Sequence, residues 1–459
     1  MEKEIPKKTG EKLMLILMFT LIISAMSGLM FNIVLPEISE EFTLSISQVS
    51  WFSSAYALIY AIGTMTYGKL ADRYKLKNLL TFGLVLFAIG SLVGLVSQTF
   101  WLALVGRCLQ AAGAAAIPAT AMIIPVRYFA PERRGSAISM AAVGLAIGSA
   151  LGPIISALIV AVAHWRWLFC IPLLILLTLP FYRKYLQDEE QVASGKFDWV
   201  GGGLLAGTIS LLLLGVTNGT WWFMIGGFLT LVFFVVRIRS VSEPFVQPKL
   251  FENKEYTLIL TLAFLINGIG FSLYFVSPLL LADVQQLSSS WIGFAMVPAA
   301  VASAILGRKG GKLADLKGNA HLFFLASGLL VTCFVLLSTF TGSAPIFIAM
   351  FLVFGNVGQS FMLIAMSNSI SRTLPKEQVG VGMGLFSMLN FIAGGMATGV
   401  YSLVVDTGSN GHWNPLTINP NGFIYSNIFF VLAALHVLIL LFYFFQFGRA
   451  RRKNIQLEG

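Results

Sequence analysis

The chain has 459 residues, 57% of them hydrophobic and only 11% charged, with a formal net charge of +10 and a mean hydropathy of +0.83. A soluble domain of this length cannot bury that much apolar surface, so the composition excludes one and points to the lipid bilayer as solvent. A charge of +10 raises nucleic acid as a partner, but the placement of the charges along the chain excludes it.

A helix needs about 20 apolar residues to cross the hydrocarbon core. Runs of that kind begin near Leu13, Val49, Leu79, Trp101, Ser136, Trp167, Trp199, Trp221, Tyr256, Ile292, Leu322, Pro345, Gly380 and Ile424. The first is too long for a cleaved secretion signal and lacks a small-residue cleavage site, so it reads as a span. The fourteen runs predict an all-α membrane protein. All but two of the 30 basic residues fall in the terminal segments or in loops that follow an even-numbered run. The remaining loops (PEISEEF, SQTF, TNGT, DVQQLSSS, TGSA and DTGSNGHWNPLTINPNG) carry none. The exceptions are Arg166, at a turn, and Arg107, inside the fourth run. The positive-inside rule then places both termini in the cytoplasm, as an even number of spans requires. Three dispersed cysteines (Cys108, Cys170 and Cys333) give neither a disulfide framework nor metal-ligand spacing. No cofactor is expected.

The pentapeptide GKLAD occurs twice, at 68–72 and at 311–315. The copies fall in the cytoplasmic loops after the second and tenth runs. With runs seven and eight set aside, the second copy takes the equivalent place in a second six-helix half, a duplication common in secondary transporters. The expected organisation is a cytoplasmic N-terminus (1–11), a six-helix bundle (12–184), two extra helices with their linkers (185–254), a second six-helix bundle (255–447) and a basic tail (448–459). Gly68 and Gly311 are expected to permit a tight helix exit. Asp72 and Asp315 are expected to accept hydrogen bonds from the amides of the next helix or to pair with nearby cations.

GKLADRYKLKNLL (68–80) resembles the loop motif G-x-L-A-D-R-x-x-x-K-x-x-L of the major facilitator superfamily, with Asp72 and Arg73 in its acidic and basic places. Residues 311–315 resemble its C-terminal echo. GRCLQAAGAAAIPA (106–119) resembles the family's R-x-x-Q-G segment, with Ala111 in place of the glycine. GLAIGSALGPIISALI (144–159) resembles the antiporter signature G-x-x-x-G-P, with Ser156 and Ala157 in place of its closing glycines. NIVLPEISEEF (32–42) is similar to the end of the first helix in the fourteen-helix drug:proton antiporter branch. Within that branch the long, lysine-free loop ending FIYSN (423–427) resembles the Gram-positive tetracycline exporters of classes K and L. The resemblance implies two six-helix bundles plus two extra central helices. It also implies a monomer in lipid that exports a small-molecule substrate by alternating access, with protons as counter-ion and no nucleic acid.

Arg107 is the sharpest candidate residue, because a cation deep in a span is costly and faces the bundle interior with a partner. Gln110, one turn on, shares its face, and the resemblance assigns the arginine to proton or substrate coupling. Asn32, Tyr56, Tyr60, Asn267, Tyr274, Asn356, Gln359 and Asn390 are neutral polar residues in other spans, suited to interhelical hydrogen bonds or, with Phe271 and Phe275, to an amphiphilic pocket. Gly144, Gly148 and Gly152 recur every four residues and let a neighbouring helix approach closely, and Pro153 removes a backbone donor. The resemblance makes these residues a hinge between conformations.

None of the twenty Asp and Glu residues falls in the middle of a span. The exporters that the chain resembles carry carboxylates in helices 1, 5 and 13, where Gly28, Ser149 and Met396 stand here. Coupling then uses an edge carboxylate such as Asp72 or Asp283, or the substrate is anionic or neutral and pairs with Arg107. Export of an endogenous anionic metabolite or lipid, and a non-transporting sensor or scaffold, are the alternatives to drug efflux. No loop offers a nucleophile–base pair, a phosphate cradle or a metal cluster, so an enzyme is not expected.

Overall fold

The computed structural model describes residues 7–71, 74–129, 131–186, 198–375, 378–408, 414–415, 417 and 422–448. Among them every regular element is helical. Fourteen long helices follow in order: α1 (Lys7–Met30), α2 (Trp51–Leu70), α3 (Leu76–Leu95), α4 (Phe100–Ala114, resuming as Ala116–Tyr128), α5 (Pro131–Val160), α6 (165–185), α7 (Trp199–Thr217), α8 (Trp221–Ser240), α9 (Lys254–Asp283), α10 (Ser289–Lys317), α11 (Asn319–Thr339), α12 (Pro345–Thr373), α13 (Val379–Thr407) and α14 (Phe423–Tyr443). Local signals set several of the starts. Asp198 caps α7 by accepting from the Gly201 amide at 2.9 Å, and Asn253 caps α9 through the Tyr256 amide at 3.1 Å. In α6, Pro172 and Pro180 each remove a donor, and the helix alternates between 3-10 and α turns.

Thirteen of these helices are long and apolar enough to cross a membrane. The remaining long helix is α2, whose serines, tyrosines and threonines lower its hydropathy. Ser53, Ser54, Tyr56 and Tyr60 are nevertheless buried, because α2 lies at the centre of the molecule and turns these groups inward.

In the first bundle α1 packs on α5 and α4, α2 on α4, and α3 on α4 and α6; in the second, α12 packs on α9, α10 and α11, and α9 on α13. The bundles meet along two seams, α2 against α13 and α5 against α10. The extra pair α7–α8 forms a hairpin, and α7 lies against both α2 and α13. A methyl group added at Gly399 of α13 would lie 2.2 Å from the Leu213 side chain of α7.

The glycine stripe of α5 faces α1, inside the first bundle. Methyl groups added at Gly144 and Gly148 would lie 2.7 and 2.4 Å from the Met18 and Ile22 carbonyl oxygens. The end of the motif faces the other bundle, where Gly293 of α10 packs on Pro153 and Ala157.

The GKLAD copies depart from expectation. Gly68 lies inside α2, and Gly311 lies well within α10, which stays helical to Lys317. Neither makes a tight exit. The turn after the second copy falls on Gly318, at φ 86°, where a glycine is favoured. Asp315 is an exposed residue of the last turns of α10 and caps no following helix. Asp72 and Arg73 lie outside the described residues. Lys69, from the first copy, donates to the Pro244 carbonyl at 2.5 Å and stands over the Phe245 ring. The Phe245 amide in turn donates to Asp198 at 3.2 Å, and Arg237 pairs with the same carboxylate at 3.0 Å. The linker between α8 and α9 is thereby tied to the end of α2 and the start of α7. Burial alone would raise the Asp198 carboxyl, but the Gly201 and Phe245 amides and Arg237 hold it below the ordinary carboxylate value.

At the opposite end of the molecule the two bundles are sealed together. Asp406, at the end of α13, accepts from the Ile46 and Ser47 amides at 2.9 and 2.5 Å, ahead of α2. Ser402 donates to Ser50 at 3.0 Å, and Ser47 donates to the Thr217 carbonyl of α7 at 3.0 Å. A charged acceptor on two amides is a strong cross-link. Asp406→Asn keeps one acceptor and loses the charge. In that variant a cysteine placed at buried Ser50 should react about tenfold faster with a membrane-impermeant thiol reagent. An unchanged rate would mean that Asp406 does not hold the seal.

Candidate functional site

Arg107 is fully buried in α4. Its Nε donates to the Phe52 carbonyl at 3.5 Å, and one Nη donates to the Ser27 carbonyl at 3.2 Å and to Gln110 Oε1 at 3.0 Å. Gln110 is fixed in turn by donating to Ser91 at 2.8 Å. The guanidinium lies 4.0 Å from the Tyr56 ring centre, 4.5 Å from Phe31 and 5.7 Å from Phe52. Ring faces of this kind attract a cation, most of all in a desolvated setting. The other Nη has no hydrogen-bond partner, and Arg107 pairs with no carboxylate among the described residues.

From Arg107 an aromatic strip runs across the α2–α13 seam. Tyr56 stacks on Tyr60 with ring centres 5.9 Å apart, and Tyr60 meets Phe391 of α13 edge-on at 4.6 Å. Beside Phe391, the Asn390 carbonyl accepts from Asn267 of α9 at 2.6 Å, and the Asn267 oxygen accepts from Gln359 of α12 at 3.2 Å. Gln359 Oε1 has no partner. The three carboxamide residues line one crevice with Ile266, Met366 and Phe386. A cation inside the first bundle, a run of aromatic faces across the α2–α13 seam and a set of neutral hydrogen-bonding groups in the second bundle therefore lie in series, an arrangement suited to an amphiphilic molecule.

Asn32, next in the chain to Phe31, accepts from Ser53 of α2. Other expected pocket residues stand apart. Asn356 donates to Leu352 of its own helix at 3.0 Å and bridges no neighbour there. Phe275 is fully buried in the core of the second bundle. Tyr274 packs its ring on Phe271 at 6.1 Å. Asp283 accepts a hydrogen bond from Tyr425 where α9 ends. His436 is buried in α14 with neither ring nitrogen hydrogen-bonded. At the positions of the missing carboxylates, Gly28 lies 3.6 Å (as an added methyl) from the Tyr56 ring, and Ser149 donates back to Leu145 of its own helix at 2.9 Å. Sequence reasoning missed Phe391, Phe31 and Phe52, and it missed the carbonyls of Ser27 and Phe52.

Residues 17–398 match the sequence profile of the Major Facilitator Superfamily. The chain belongs to that superfamily. It is 24% identical over 406 residues to the riboflavin transporter RibZ of Clostridioides difficile (strain 630), covering 85% of this chain and 87% of that one. It is 27% identical over 330 residues to Multidrug resistance protein 3 of Bacillus subtilis (strain 168), covering 69% and 64%. The crystal structure of a bacterial homolog of the human lysosomal transporter Spinster, inward-facing and unoccupied, is similar at TM-score 0.64 and 13% identity, covering 95% and 96%. At that identity the likeness is one of fold. As a member of the Major Facilitator Superfamily the chain is a multi-pass membrane transporter and not an enzyme.

Proposed function

We propose that the chain exports amphiphilic small molecules, neutral or anionic, by alternating access of its two bundles, in the manner of the fourteen-helix drug exporters. The observation that carries this reading is the strip from Arg107 through Tyr56, Tyr60 and Phe391 to the carboxamides, with no carboxylate paired to the arginine. An aromatic body matches the rings, neutral heteroatoms match Asn267 and Gln359, and an acidic group matches the arginine. A cationic drug would meet an uncompensated like charge. In this reading the basic loops face the cytoplasm and the Asp406 seal lies outside, so the chain loads from within. Protons are the driving counter-ion, carried at an edge carboxylate such as Asp283, since no carboxylate stands mid-span.

Export of an endogenous anionic metabolite or lipid is a second reading, favoured by the same unpaired arginine. A static sensor or scaffold is disfavoured, because each seam is closed by small residues and hydrogen bonds that can separate as units.

The test is transport by the purified chain in vesicles, using one aromatic scaffold as its carboxylate, its neutral amide and its amine. The expected order is carboxylate, then amide, with the amine slowest. Preference for the amine would overturn the anionic reading, and equal failure of all three would favour the scaffold.

A further inference from the structure

One guanidinium Nη of Arg107 has no hydrogen-bond partner. Close by, the Tyr56 hydroxyl reaches the Ser27 side chain. All three residues are more than nine-tenths buried. Each of these groups can donate a hydrogen bond. The acceptors at hand, the Ser27 and Phe52 carbonyls and Gln110 Oε1, are already taken by the arginine. Water would satisfy the hydroxyls and leave the charge uncompensated. A buried charge without a counter-charge is strongly unfavourable in a membrane interior.

We propose that the Arg107 pocket of the first bundle is a binding site for a small monovalent anion of halide size, held by the guanidinium and the Tyr56 and Ser27 hydroxyls. One guanidinium balances one negative charge. The rings of Phe31, Phe52 and Tyr56 lie 4.5, 5.7 and 4.0 Å from the guanidinium, crowding that favours a small, weakly hydrated anion over gluconate or sulfate. The pocket is the Arg107 end of the strip proposed for cargo, so a halide balances the charge there until an acidic cargo group replaces it. Binding does not depend on the export reading and is measured without cargo.

The experiment uses the full chain in lipid nanodiscs. Thermal unfolding is followed while chloride or bromide replaces gluconate at constant ionic strength. A saturable rise in melting temperature of roughly 3 °C or more is expected with both halides, and none with sulfate. Tyr56→Phe keeps the ring and removes one donor, so the half-saturating chloride concentration should rise about tenfold. Arg107→Gln should lose the halide response. Gly28→Asp, which sets a carboxylate beside Tyr56, should also lose it by supplying the charge internally. Equal behaviour in chloride and gluconate would overturn the proposal. So would an unchanged response in both Tyr56→Phe and Arg107→Gln. Stabilisation by an amphiphilic carboxylate but not by chloride would assign the pocket to cargo and overturn it as well.

Discussion

Replacing Arg107 with alanine is expected to reduce transport in reconstituted vesicles at least a hundredfold while the protein still folds. The side chain ties α4 to α1 through the Ser27 carbonyl and to α2 through the Phe52 carbonyl, and it holds Tyr56 at the head of the aromatic strip. Its removal leaves Gln110 Oε1 unpaired, at about 1–3 kcal/mol, and takes a hydrogen bond from the Ser27 and Phe52 carbonyls, which lie within α1 and α2. The same change relieves the burial of a charge that has no carboxylate partner, and that gain offsets much of the loss. Stability therefore shifts modestly, while the cation that orders the strip is gone. Arg107→Lys should recover little, because one ammonium cannot reach both carbonyls and Gln110 in the fork geometry of a guanidinium. Transport and melting temperature measured on the same preparations separate the two effects. Transport above half the wild-type rate in Arg107→Ala would remove the arginine from the account.

The second large effect is expected at Gly148. A methyl group there would lie 2.4 Å from the Ile22 carbonyl oxygen and 2.9 Å from the Ala25 side chain of α1. The obstacle is mostly backbone, so neither helix can yield cheaply. Gly148→Val should destabilise the first bundle by about 3 kcal/mol or more. Gly152 is one turn further along, and an added methyl there meets its nearest atom at 3.3 Å. Gly152→Ala should therefore be tolerated far better. Gly68→Ala and Gly311→Ala should be close to neutral or slightly stabilising, because both glycines are helical with nothing within 4 Å. Melting temperatures of the four variants test this ranking. A stable Gly148→Val protein would mean that α1 and α5 are not packed as described.

The fold was legible because lipid imposes few and strict rules. Apolar length marks the helices, and the Lys and Arg pattern marks their alternation. Even α2, too polar for a hydropathy criterion, stood out between its loops. Arg107 was legible for the opposite reason: a charge in the middle of an apolar run is costly unless it faces the bundle interior. Its partners were not, since two of them are main-chain carbonyls that no side-chain identity announces. Phe391 is one of 38 phenylalanines, and nothing in the sequence separates it from those that face lipid. The stripe of glycines in α5 signalled a close neighbour but not which one. Small residues permit approach by any helix, and here the stripe faces α1 while only the Pro153–Ala157 end faces α10. The GKLAD repeat misled on local geometry, because glycine tolerates a turn without requiring one.

The proposed substrate site is built around an arginine with no carboxylate partner among the described residues. Proton movement in reconstituted vesicles tests it most directly, with tetracycline, a lipophilic cation and an amphiphilic anion added in turn. Proton flux driven by the anion is expected, with weaker flux for tetracycline and none for the cation. Flux driven by the cation alone, or silence with all three, would contradict it.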